Sequence, residues 1–178
     1  MQSFPPGDAE AFRRLARTWA ATVTVVTARR RAPDRSAGIP ELDGFTATAF
    51  FTLSIDPPLI AVAVEKGGGS GALMADADHF AVNLLSETQA EHSLAFARHW
   101  EHRKDTWARF PATPDAAGVP LLHGTAGAFS ARVRDRIDAG DHVLLIGEVT
   151  AVHQGDTLRT LVYQHRGYAR VGPLDEET

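Results

Sequence analysis

Residues 44–58, Gly-Phe-Thr-Ala-Thr-Ala-Phe-Phe-Thr-Leu-Ser-Ile-Asp-Pro-Pro, constrain this chain more than any other stretch. Small hydroxyl residues alternate there with apolar ones, the period of a β-strand, in which residues two apart share a face. The pattern predicts one strand with Thr46, Thr48, Thr52 and Ser54 in front and Ala47, Ala49, Phe51, Leu53 and Ile55 behind. A hydroxyl-lined front can cradle a flat polar ligand, and the alanines let it approach the backbone. Asp56-Pro57-Pro58 then ends the ladder, because proline has no N–H to donate. An ordinary half-buried strand followed by a loop has the same spacing.

The rest of the composition narrows the classes. At 178 residues, 44% hydrophobic and 22% charged, the chain reads as one globular domain over 1–178, with a core at about 12–171 and an acidic tail. A net charge of -4 argues against binding nucleic acid by neutralising phosphates. No apolar run approaches the roughly 20 residues that cross a bilayer, and residues 1–11 lack a secretory pattern, so a cytoplasmic location is expected. With no cysteine there is no disulfide, thiol nucleophile or thiolate metal site.

Residues 8–19 predict a helix capped by Asp8, with Phe12, Leu15, Ala16 and Trp19 on one face. Residues 22–27 form a β-branched strand, and 29–43 a polar connection. After the 44–58 stretch come a buried strand at 59–65, a glycine loop at 66–71, a short helix at 72–77 and a strand at 80–85. Ser86 with Gln89 fits a capping box for a helix to about Phe96. Extended segments at 121–135, 143–152, 161–163 and 168–171 complete six or seven strands with two or three helices. The fold class is mainly β, a small barrel with peripheral helices. No G-x-G-x-x-G opens a helix after a strand, so a Rossmann domain is not indicated.

Three constellations can carry chemistry. In Lys66-Gly-Gly-Gly-Ser70-Gly71 a cation, a hydroxyl and mobile backbone N–H groups precede a helix, which suits an anion; a plain surface loop is the alternative. Gly140-Asp141-His142 is a turn that can aim an imidazole at a ligand, or simply expose it. His92, His99 and His102, with Glu91 and Glu101, lack a third ligand fixed by spacing, so no metal is expected. Arg13, Arg14, Arg17 and Arg29 to Arg31 read as solvated surface. No serine-hydrolase elbow and no convincing carboxylate pair is present.

Taken in order, 22–27, 44–50, Leu53-Ser-Ile-Asp-Pro-Pro58, 80–85, Phe96-Ala97, Gly140-Asp-His142, Ile146-Gly-Glu-Val149 and the closing 163–168 segment resemble the flavin reductase family. These are short NAD(P)H:flavin oxidoreductases that serve two-component monooxygenases. The resemblance implies an FMN-binding split β-barrel of Greek-key type that dimerises, with flavin near the dimer interface. It implies that Thr46, Ala47, Thr48 and Ala49 contact the isoalloxazine, and that Thr52, Ser54 and Asp56 continue that wall. Lys66, Ser70 and Gly71 would hold the phosphate end, Asn83 would order the site, and His142 would sit by the nicotinamide. Thr48-Ala49 stands where the family often has Asn-Ser, Phe51 replaces a small hydroxyl residue, and Lys66 stands where arginine is frequent.

The function this implies is reduction of FMN or FAD by NADH or NADPH, the reduced flavin then serving a separate oxygenase. Hydride passes from nicotinamide C4 to flavin N5, and the protein supplies stacking, alignment and exclusion of water. Alternatives are a reductase that keeps its flavin and acts on another acceptor, a non-enzymatic flavin-binding electron carrier, and a barrel without flavin. Arg29 to Arg31 are candidates for a 2′-phosphate contact.

Overall fold

The structure is a computed structural model that describes residues 3–5, 7–30, 41–103 and 105–173. Most of the expected 29–43 connection, Arg31 included, and the tail from 174 lie outside the described residues.

In chain order the elements are α1 (Ala9–Ala16), β1 (Ala21–Thr22), β2 (Thr24–Arg29), β3 (Leu42–Ala47), β4 (Phe50–Ile55), β5 (Pro58–Glu65) and α2 (Gly69–Asp76). There follow β6 (His79–Leu84), α3 (Ala90–Phe96), a 3-10 turn (Trp100–His102), α4 (Thr106–Arg109), β7 (Ala112–Pro114) and β8 (Pro120–Leu122). The long hairpin β9 (Gly127–Ala139) and β10 (His142–Gln154) and the short one β11 (Leu161–Gln164) and β12 (Gly167–Arg170) close the chain.

Seven strands form one antiparallel sheet in the order β3-β2-β6-β9-β10-β5-β4. Its two edges, β3 and β4, are consecutive in sequence and joined only by Thr48 and Ala49. The three steps from Ala47 to Phe50 reach at most about 11 Å, so the sheet must curl until its edges nearly meet. The result is a barrel closed along a covalent seam without strand pairing across it: the expected split barrel. Strand twist drives the curl, and irregularities at Ile146/Gly147, where Arg134 of β9 is unpaired, and at Val149/Ala151, where Thr150 of β10 is, bend the β9–β10 hairpin further. Gly147 is required there, since a Cβ would lie 2.5 Å from the ring of buried Phe80.

The alternation of β2 builds two cores. Val26 and Ala28 face the barrel interior with Phe45, Ile60, Val62, Phe80 and Leu145. Val23 and Val25 face outward under α3, where Leu85, Phe96, Phe110, Leu122 and Leu161 cover them. Burying both faces explains why the 22–27 run is apolar and β-branched throughout.

Several expectations change. The 44–55 stretch is two strands, not one, because the seam interrupts it at Thr48–Ala49. Its expected apolar back does not form: Phe51, Leu53 and Ile55 are 47%, 47% and 95% exposed. The cause is topological, since β4 is an edge strand paired with β5 alone. The helix of residues 8–19 does form around its Asp8 cap, whose carboxylate accepts from the N–H groups of Glu10 and Ala11, but Phe12, Leu15 and Trp19 remain exposed. The helix at Ser86 starts later. The Ser86 N–H donates to Gln89 Oε1 at 3.0 Å, but its hydroxyl is shared with Thr88, so Gln89 becomes the cap and α3 begins at Ala90.

Candidate functional site

The seam, the glycine loop and the Gly-Asp-His turn come together at one end of β5. The Ala63 N–H donates to the Ala49 carbonyl at 2.9 Å, which fixes the seam beside the end of that strand. His142, opening β10, pairs with Glu65, the last residue of β5. The Lys66 N–H donates to the Asp141 carbonyl at 3.0 Å, and Lys66 Nζ donates to the Gly140 carbonyl at 2.9 Å. Two segments more than 70 residues apart are therefore one loop cluster.

The turn is tight because Ala139 and His142 pair, leaving only Gly140 and Asp141 between them. Gly140 has φ 64°, a left-handed conformation that glycine adopts without strain. Asp141 Oδ1 lies 2.7 Å from His142 Nδ1. That hydrogen bond, then the charges of His142 and Lys66, holds the Asp141 carboxyl below its usual range. The contact fixes the half-exposed ring and engages Nδ1, so Nε2 is the nitrogen that remains for a ligand.

The glycine loop is shaped by close approach. At Gly71 a Cβ would stand 2.6 Å from the carbonyl oxygens of both Glu65 and Lys66, so only glycine lets α2 start against the end of β5. Gly68 caps that helix at φ 94°, and nothing lies within 4 Å of a Cβ at Gly67 or Gly68. Ser70 sits half-buried in the first turn. Lys66 is not the free cation that the loop's composition suggests. Besides Gly140 it meets Asp138 Oδ1 at 3.1 Å, with 41% of its side chain exposed.

The expected flavin wall divides. Thr48 and Ala49 are exposed small residues at the seam. The Thr46 hydroxyl donates to the Ser93 carbonyl at 2.7 Å and so turns toward α3. Ala47 points into the barrel core, its carbonyl accepting from Thr24 Oγ1 at 2.8 Å. Thr52 and Ser54 pair with Ile60 and Leu59, and Asp56 lies beyond them, so these three run toward the opposite end of β5. Asn83 is fully buried, and its amide is consumed by interior partners. It donates to Val25 O at 3.0 Å and Thr27 Oγ1 at 3.1 Å and accepts from the Leu122 N–H at 2.8 Å. It braces β6 against β2 and β8 from within the core. Thus Thr48 and Ala49 lie beside Ala63 of β5, and Lys66, Ser70, Gly71 and His142 lie at or just past the same end of that strand, while Thr52, Ser54 and Asp56 run the other way and Asn83 is in the core.

His99 meets the His102 ring edge-on at 6.4 Å between centroids and Glu101 at 3.4 Å, whereas His92 packs on the Phe110 ring at 4.1 Å between centroids. Among the described residues no group of three or more histidine or acidic side chains is placed to hold a metal.

Sequence reasoning missed a groove of about 550 Å³ beside Thr48 and Ala49, walled by α1 and the β11–β12 turn. Its only sequence signal was the four-residue spacing of Arg13 and Arg17, which puts them on one helical face. Exposed small residues at the seam, an open glycine loop and an oriented imidazole fit a flavin lying against the seam with a nicotinamide beside it.

Comparison with known proteins identifies the family. The profile of the flavin reductase like domain matches residues 16–172. The stachydrine N-demethylase reductase subunit Stc3 of Rhizobium meliloti is 39% identical over 163 residues, covering 90% of this chain and 65% of that protein. A second protein of that organism, "Probable flavin reductase", is 39% identical over 161 residues, and the match covers 90% of this chain and 48% of its length. The chain therefore spans about half to two thirds of these relatives. The crystal structure of the flavin reductase HpaC with NADP+ superposes with a TM-score of 0.80 at 27% identity, covering 93% of this chain and 99% of that one.

Proposed function

Because the chain belongs to the flavin reductase like domain family, we propose that it is an NAD(P)H:flavin oxidoreductase, reducing FMN or FAD with NADH or NADPH. The observation that supports this most is the convergence of seam, glycine loop and Gly-Asp-His turn at one end of β5. A bound flavin supplies the electronic chemistry, accepting hydride at its ring. The chain's own residues bind and orient. Thr48 and Ala49 let the ring lie against the backbone. Ser70 and the loop N–H groups meet the phosphate end, with Lys66 adding positive charge. His142 Nε2 meets the nicotinamide carboxamide, and Asp141 keeps the ring turned for that contact. No proton transfer through His142 is required. Holding both rings within about 3–3.5 Å is the main catalytic contribution.

The reduced flavin would serve a separate flavin-dependent oxygenase, as the name of the N-demethylase reductase subunit suggests for that relative. A homodimer is also proposed, because the apolar faces of β4 and α1 are uncovered in the single chain. A cytoplasmic location is proposed with it, since a reaction that consumes NADH or NADPH needs a compartment where those nucleotides are regenerated. No helix among the described residues is long and apolar enough to cross a membrane.

The test is the flavin absorbance after anaerobic mixing of the protein with FMN or FAD and NADH or NADPH. Catalytic bleaching is expected. Binding of flavin without bleaching would reject the reductase in favour of an electron carrier, and no binding would reject both.

A further inference from the structure

Behind the glycine loop, between α2 and the outer half of the β9–β10 hairpin, lies a cavity of about 330 Å³. Val64, Met74 and Leu145 of the barrel core floor it. Its charged lining among the described residues is Glu65, Lys66, Arg136 and Asp138. Arg136 and Asp138 are two apart on β9, so their side chains leave the same face of the strand. That face clasps α2 at both ends.

At the far end of α2, Arg136 is spent on backbone. Its Nε and Nη2 donate to the Met74 carbonyl at 3.3 and 3.0 Å, and Nη2 donates to that of Ala77 at 2.6 Å. At the near end Asp138 Oδ1 lies 3.1 Å from Lys66 Nζ, in front of the glycine loop. A carboxylate therefore already sits on the lysine proposed for the flavin phosphate. Two more acidic groups share its surroundings. Glu65 precedes Lys66 and lines the same cavity, and the charge of Lys66 reaches the Asp141 carboxyl and helps to lower its pKa. The Asp138 side chain is 86% exposed, so it can leave the lysine without disturbing any packing.

We propose that Asp138 is a specificity-determining residue, a built-in competitor for Lys66 that disfavours the phosphate monoester of FMN relative to the diester of FAD. This rests on the reading of Lys66 as a phosphate contact and adds what that contact selects. A phosphate monoester has a second pKa of about 6 and so carries close to two negative charges at neutral pH. Each phosphate of the FAD diester carries one, and riboflavin carries none. An incoming phosphate must displace the Asp138 carboxylate, which stays nearby and repels in proportion to the charge that replaces it. As the phosphate departs, the carboxylate reclaims the lysine, which favours release of flavin to a second protein.

The test titrates riboflavin, FMN and FAD by fluorescence quenching into the full chain and into Asp138→Asn, near neutral pH and at low ionic strength. The variant should bind FMN about threefold more tightly, the scale of one exposed ion pair. FAD should gain by a smaller factor and riboflavin not at all. The FMN gain should fade in about 0.5 M salt, because exposed charges are screened. Asp135→Asn is the control. Its carboxylate leaves the opposite face of β9, 3.7 Å from Arg134 Nε, and its removal should change none of the three affinities. Unchanged or weaker FMN binding by Asp138→Asn overturns the proposal. So does an equal gain for riboflavin or FAD, or the same gain in Asp135→Asn. If flavin still bleaches with NADH or NADPH in any of these cases, the flavin reductase reading stands and this inference alone falls. Wild-type protein that binds no flavin overturns both.

Discussion

Lys66 Nζ lies 2.9 Å from the carbonyl oxygen of Gly140, so the glycine loop is fastened to the turn that carries His142. The lysine thus joins the proposed flavin-phosphate and nicotinamide ends of the site. Its replacement should disturb both. Lys66→Ala should weaken FMN about tenfold more than riboflavin, which lacks the phosphate, and should raise KM for the nicotinamide nucleotide. Fluorescence titration with both flavins, alongside steady-state kinetics, checks this. Equal loss for the two flavins would remove Lys66 from the phosphate and leave it as a fastener only.

His142→Ala should lower kcat/KM for NADH or NADPH by roughly threefold to a hundredfold, the range for one neutral to one charge-assisted hydrogen bond. Flavin affinity should hold. A loss carried by KM alone means that the ring only binds; a fall in kcat means that it aligns the transfer. Unchanged kinetics with a lower melting temperature would make His142 a turn residue and nothing more.

A buried ion pair ties the start of β3 to the segment that follows α3. Arg103 Nη2 lies 3.2 Å from Asp43 Oδ2 with both side chains 6% exposed. Burial raises the Asp43 pKa despite the arginine, so desolvation outweighs attraction at that carboxyl. Arg103→Ala should cost about 3–5 kcal/mol by leaving a buried charge alone, while Asp43→Asn with Arg103→Met should cost clearly less. Urea unfolding of the singles and the double reads the difference; additive losses would contradict it.

His92 should make stability depend on pH. Ser86 N–H on Gln89 Oε1 turns the Gln89 amide nitrogen toward His92 Nε2 at 3.2 Å, so that imidazole nitrogen accepts. Nδ1 is buried without a hydrogen-bond partner among the described residues. Burial then lowers the His92 pKa, ahead of the opposing charge of Glu91. A lowered histidine pKa means that the unfolded chain takes up its proton first. The contribution is full above the unfolded value of about 6.5 and is lost as pH falls toward the lower folded value. The melting temperature of wild-type protein should therefore drop more steeply from pH 7 to pH 5 than that of His92→Asn. Parallel slopes would exonerate the histidine.

The homodimer predicts a sedimenting mass of twice 19.2 kDa at micromolar concentration. Leu53→Glu on the open face of β4 should shift it toward monomer without lowering the melting temperature of the monomer itself. A wild-type monomer that still binds flavin would reject the interface.

Most of the element order was legible because the periodicity of each run was local. Asp8 capped its helix, the β-branched 22–27 run was buried on both faces, and the Gly140 turn closed a hairpin, all as the residues required. What could not be read was long-range. Nothing in residues 44–55 reveals that Phe50 pairs with Val62 on one sheet edge while Ala47 pairs with Thr24 on the other. The faces of the second half were therefore misassigned. Asn83 entered only through the family resemblance, as a residue that orders the site; the partners that fix its amide, Val25 and Leu122, lie 58 and 39 residues away. The groove of Arg13, Arg17 and Arg166 joins the two ends of the chain, and no window spans that distance.

The two-residue link between β3 and β4 also acts as a leash. It keeps the free edges of the sheet near each other at almost no closure entropy, yet no ladder hydrogen bonds lock them. A flavin seated on Thr48 and Ala49 would touch both edges and rivet the barrel shut where the chain left it open. Its occupancy would then be felt far from the reacting atoms, as resistance of the whole barrel to unfolding. At a hundredfold excess over Kd that gain is about 2.7 kcal/mol. Lengthening the leash with inserted glycines should soften the empty barrel and enlarge the share of its firmness that depends on the ligand.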